Sequence, residues 1–62
     1  MYGQVITRSG KSVGVWERGY GTYTVVIGNQ IDVFRTREEM ESNLGRKGLV
    51  ADVPYQPIAY IS

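Results

Sequence analysis

The chain has 62 residues and a formal charge of +1, with no cysteine and no histidine. That excludes disulfide stapling, the usual Cys/His zinc sites, and thiol or imidazole catalysis. One small domain spanning residues 1–62 is expected, since a chain this short buries only roughly 60% of its unfolded surface and has no room for a second core.

Residues 2–8, YGQVITR, read as a first strand, with Tyr2, Gln4 and Ile6 on one face and Gly3, Val5 and Thr7 on the other. Ser9-Gly10 turns the chain, because glycine takes a positive φ without steric cost. Residues 12–17, SVGVWE, form a second strand, with Val13 and Val15 on one side and Gly14 and Trp16 on the other. A glycine beside a large aromatic marks a bulge or a close backbone approach. Arg18-Gly19-Tyr20-Gly21 is then a mobile or sharply turned connection with Tyr20 exposed at its tip.

The stretch from Tyr23 to Gly48 organises the rest. Val25, Val26 and Ile27, then Ile31, Val33 and Phe34, give two β-rich runs around Gly28-Asn29. A glycine-first pair suits a two-residue type II′ hairpin turn. Such a turn sets Tyr23 opposite Phe34, Val25 opposite Asp32 and Val26 opposite Ile31. One face then holds Tyr23, Val25, Ile27 and Phe34, and the other Thr24, Val26, Ile31 and Val33. A solvated antiparallel sheet has one polar face. Here both are apolar, and one helix covers only one of them. Asp32, among apolar neighbours, pairs with Arg18 or Arg35 or lies where the sheet is open.

Thr36 stands three residues before Glu39, the capping-box spacing. It predicts a helix from Arg37 to about Lys47, with Met40 and Leu44 toward the sheet and Glu38, Glu41 and Ser42 toward water. Glu38 and Glu39 at its start, and Arg46 and Lys47 at its end, complement the helix dipole. Gly48 suits a left-handed cap, with Leu49 returning to touch Leu44. Gly45 is a point where the helix can end early. The last stretch, LVADVPYQPIAYIS, carries Pro54 and Pro57, which forbid a helix or a central strand. It is too apolar to be left in water. An extended segment over the second sheet face, or paired with an edge strand, is expected, with Ile58, Tyr60 and Ile61 buried within the chain or at a dimer interface.

The fold class is therefore α+β: an antiparallel meander of about four strands, one helix on one face and an extended C-terminal segment. A five-stranded SH3-like barrel is the alternative. No apolar run reaches the ~20 residues of a membrane helix, and no signal-peptide core precedes the first strand. With a leading Met, the chain is read as an autonomous cytoplasmic product or as an excised domain.

Charge is uneven along the chain. Residues 1–37 carry Arg8, Lys11, Arg18, Arg35 and Arg37 against Glu17 and Asp32, a net +3, and residues 38–62 carry a net −2. Glu38, Glu39 and Glu41 are accounted for by the helix cap and a solvated face. Gly19-Tyr20-Gly21 is no nucleotide loop, since it does not lead into a helix. Trp16, Arg18, Tyr20, Tyr23, Arg35 and Arg37 interleave aromatic and basic groups. That pattern serves nucleic-acid binding, through phosphate neutralisation and base stacking, or places Trp16 and Tyr23 in the core beneath ordinary surface arginines.

Residues 14–44, GVWERGYGTYTVVIGNQIDVFRTREEMESNL, resemble the three-stranded-sheet-plus-helix DNA-binding domain of plant ethylene-response factors and of phage integrase arm-site-binding domains. The shared elements are the GVW strand start, the YTVVI strand, the turn and the FRTREEM helix entry. The resemblance implies that the sheet enters the major groove, with Arg18, Tyr20, Thr24 and Arg35 as contacts and Trp16 as a further one. From the residues themselves, the expectation is a non-enzymatic regulator binding another protein, or a second copy of itself, through the exposed face or an edge strand. Sheet-type duplex DNA binding is the alternative. No cofactor and no metal is expected.

Overall fold

A computed structural model of the chain describes residues 1–53. Five strands and one helix follow in order: β1 (Tyr2–Thr7), β2 (Ser12–Gly19), β3 (Thr22–Ile27), β4 (Gln30–Phe34), α1 (Arg37–Arg46) and β5 (Leu49–Asp52). All neighbours pair antiparallel in one sheet of order β4-β3-β2-β1-β5. The first four strands form the expected meander. After the helix, the chain adds a fifth strand against the free edge of β1, pairing Val5 with Ala51 and Ile6 with Val50. Edge pairing, one of the two expected placements, thus holds for residues 49–52. The expected burial of Ile58, Tyr60 and Ile61 lies outside the described residues.

Each turn follows from its residues. Between β3 and β4, Gly28 takes φ +61 while Asn29 does not turn positive, the signature of type II′. The register is the one a two-residue loop demands, with Tyr23 opposite Phe34 and Val25 opposite Asp32. Between β2 and β3 the turn also has two residues, but here Tyr20 (φ 53) and Gly21 (φ 77) are both left-handed, as in type I′. The connection is sharply turned, at the cost of holding a bulky residue where Asn or Gly is at ease.

β1 and β2 slip register between Val5 and Ile6: Val5 pairs with Gly14, and Ile6 with Ser12. Val13 is the extra residue of a β-bulge. The bulge corrects the simple alternation that sets Val13 and Val15 on one side. Val13 packs against the core, while Val15 points outward and is 54% exposed. Gly14, which pairs across the bulge, also marks a close approach. A methyl there would collide with the Val26 carbonyl oxygen and crowd Ile27.

In α1 the Thr36 side chain accepts a hydrogen bond from the Glu39 N–H at 3.1 Å. Glu39 reaches back to the Arg35 N–H at 3.1 Å, one residue before the usual partner of a capping box. The helix ends one residue earlier than expected, with Lys47 as its C-cap. Gly48 then turns left-handed (φ +74) and donates to the Gly45 carbonyl at 3.0 Å. This reversal delivers Leu49 to the core and sends β5 along β1.

The core lies between α1 and one face of the sheet. Val5, Trp16, Val25, Met40, Leu44 and Ala51 are buried, with Val13, Tyr23, Ile27, Phe34 and Leu49 packed around them. Trp16 carries this arrangement across three strands. It sits opposite Gly3 on β1, and its indole Nε1 donates to the Asp52 carbonyl of β5 at 2.9 Å. Any side chain at position 3 would occupy that path, since a methyl would strike the Asp52 oxygen and lie 2.6 Å from the indole nitrogen. Gly3 and Trp16 therefore work as a pair: the missing side chain makes room for the ring that ties β2 to β5.

Candidate functional site

The pairing registers fix which side chains leave the sheet on the side away from α1. Along one line across the strands they are Ile31, Val26, Val15, Gln4 and Asp52. The next line holds Val33, Thr24, Glu17 and Tyr2, and on the other side Ser12, Ile6 and Val50 fall together. Tyr2 (67%), Ile31 (64%), Val33 (61%), Val15 (54%) and Val50 (45%) are all exposed. They fall on one continuous face, and no helix or strand among the described residues lies over it. Isolated exposed apolar residues are ordinary, whereas several on one sheet face form a patch.

The charges on this outer face are one-sided. Its outward positions carry Glu17 and Asp52 and neither an arginine nor a lysine. Neither acid joins an ion pair among the described residues.

The arginines singled out by the sequence lie elsewhere. Arg18 points to the helix side, where its guanidinium stands 5.8 Å from the centre of the Tyr23 ring. Tyr23 in turn lies 6.3 Å from Trp16, tilted by 33°. Arg37, the first residue of α1, closes the stack from the helix with its guanidinium 5.6 Å from the Trp16 ring centre. Each contact is a cation–π or offset aromatic pairing at ordinary range. Arg37 also donates to Glu41 at 2.8 Å, and that bond to a carboxylate one helical turn on raises its pKa above the usual arginine value.

Of the residues proposed from the sequence as binding groups, then, Trp16, Arg18 and Arg37 come together, around Tyr23 and on the core side. Trp16 is 1% exposed, so its polar edge and ring are already used inside the fold. Arg35 is exposed in the link between β4 and α1. Tyr20 stands fully exposed at the β2–β3 turn. Thr24 alone belongs to the outer face, half-buried between Glu17 and Val33. Asp32 pairs with neither Arg18 nor Arg35. It turns to the helix side and meets the Lys47 Nζ at 3.8 Å, because the helix C-cap passes over β4.

The apolar residues of the outer face were missing from that set. Alternation in β3 and β4 marks Val26, Ile31 and Val33 directly. Val15 is hidden by the bulge and Val50 by its place after the helix.

Among the described residues no three His, Cys, Asp or Glu side chains gather as metal ligands. No helix there is long and apolar enough to cross a membrane. An open groove of about 380 Å³ lies between Phe34 and α1, lined by Glu38, Glu39, Ser42, Asn43 and Arg46. No protein-family model matches the chain, and neither a curated protein nor a solved structure shows significant similarity to it.

Proposed function

We propose that this chain is a small non-enzymatic binding module, a regulator acting by association, that takes another protein on the outer face of its sheet. The observation that carries the reading is the exposed apolar set Tyr2, Val15, Ile31, Val33 and Val50, contributed by four of the five strands and left uncovered by α1. Burying such a face is worth roughly 25 cal/mol per Å² of apolar area, and that is the driving force for association. The face is favoured over the β4 edge. Edge strands are protected by inward-pointing charges, and Asp32 is one, held by Lys47.

Charge placement favours protein over DNA. Duplex binding draws most of its affinity from cations laid against phosphates. The outward strand positions offer Glu17 and Asp52 instead, while Arg18 and Arg37 are engaged with aromatic rings on the other side. The test compares the wild type with a V15T/I31T/V33T triple variant, which keeps β-branched side chains but makes the face polar. A protein captured from nuclease-treated lysate should be retained by the wild type and lost by the variant, and the purified pair should show the same difference. Equal retention by both, or tight salt-sensitive binding of a duplex by the wild type, would overturn the reading.

A further inference from the structure

Resting on the protein-binding reading, we infer that the segment seated on the outer face is basic as well as apolar: a run of alternating apolar side chains followed by lysine or arginine. The argument is charge complementarity. Val15, Val26, Ile31 and Val33 form an apolar block on β2, β3 and β4, and Glu17 and Asp52 border it on the β1 side. Glu17 lies directly opposite Tyr2, and Asp52 directly opposite Gln4, so β1 runs between the two acids. Strand spacing and rise place them on the order of 12 Å apart, a gap that two basic side chains of an extended segment span.

Both acids are exposed and unpaired among the described residues. Covering them with a neutral or acidic surface would strip water from two carboxylates without replacing it. A second copy of the chain meeting face to face offers no base from its own outward strand positions. The chain's own residues 54–62, PYQPIAYIS, contain no lysine or arginine either. DNA would bring further negative charge. A basic, apolar protein segment is the one occupant that satisfies both halves of the face.

The experiment titrates the full-length, isotope-labelled protein with two synthetic seven-residue peptides. They share a Val-Thr-Val-Thr-Val core and differ only in ending with two lysines or two glutamates. The lysine peptide should shift the amides of Val15, Glu17, Val26, Ile31, Val33 and Asp52. It should bind about five- to tenfold more tightly than the glutamate peptide, as expected for two partly exposed ion pairs. The E17Q/D52N variant should bind both peptides equally, and added salt should erode the preference in the wild type.

Equal affinity of the two peptides for the wild type would overturn the charge inference and leave the apolar face standing as the binding surface. Shifts confined to the helix side, or none at millimolar peptide, would overturn both. Two further outcomes would name a different occupant and so overturn the inference. One is concentration-dependent self-association mapping to the same amides. The other is cross-relaxation in the free chain between the Val15 or Ile31 methyls and residues 54–62.

Discussion

The two faces of the sheet are made of similar residues and have opposite fates. On the helix side, Val5, Trp16 and Val25 are closed off by Met40 and Leu44. On the other, Val15, Ile31 and Val33 are more than half exposed. Apolar content alone therefore does not decide what is core. The deciding features are the helix, whose Met40 and Leu44 recur at one-turn spacing, and the Gly3–Trp16 crossing that ties β5 to the sheet. A chain of this length builds one covered face. If the second apolar face serves association, as proposed, substitutions on the two faces should separate accordingly.

The largest effect belongs to Trp16→Ala. It removes the ring that packs beneath Arg37 and the hydrogen bond to Asp52, and should cost about 3–5 kcal/mol, enough to leave much of so small a domain unfolded. Urea denaturation followed by circular dichroism measures it, and a loss below about 1 kcal/mol would mean that the helix side is not the core. Next is Gly3→Ala. A single methyl meets the Asp52 carbonyl and the indole together, an overpacking worth roughly 1–3 kcal/mol. Its damage should appear first as loss of amide protection in β5, before β3 and β4 are touched.

How far the sequence discloses this contrast depends on the range of the interactions. The β3–β4 hairpin, the Thr36 cap and the Gly48 reversal are local, and each has a residue signature within four positions. They were legible residue by residue. The bulge at Val13 was foreshadowed only by Gly14, and its consequence, that Val15 turns outward, depends on pairing with β1. The bond from Trp16 to Asp52 spans 36 positions and rests on an empty site at Gly3. Nothing near Trp16 announces it. That is why an aromatic among arginines invited a binding role, although the fold uses it inside. The existence of a second apolar face was legible from alternation, but its acidic border was not, because Asp52 joins it only through β5.

Two intermediate predictions sharpen the comparison at its margins. Thr36→Ala removes the cap that starts the covering helix and should cost about 1 kcal/mol, lowering Tm by several degrees. An unchanged melting curve would show that α1 holds its place without the cap. Tyr20→Asn should act in the opposite direction. Tyr20 holds a left-handed conformation at the tip of a type I′ turn and touches solvent on all sides, so a residue that tolerates φ 53 should stabilise the protein by about 0.5–1 kcal/mol. A lower Tm for that variant would mean that the ring makes a contact which offsets its strain.

The smallest effect on stability is expected where the effect on association is largest. Val15→Thr, Ile31→Thr and Val33→Thr each replace an exposed β-branched side chain with another that suits a strand. Singly they should change stability by no more than about 0.5 kcal/mol. Val15 and Ile31 share a paired line through Val26, so the triple variant need not be additive, but its melting should remain cooperative. If these positions stabilise the fold through contacts on that face, the triple variant should lose several times the single-site cost, and the outer face would count as a second core. If the face is kept apolar for a partner, melting stays near that of the wild type while binding of the lysine-ended peptide falls at least about tenfold. Measuring both quantities on the same three substitutions separates what the sheet needs in order to stand from what it offers.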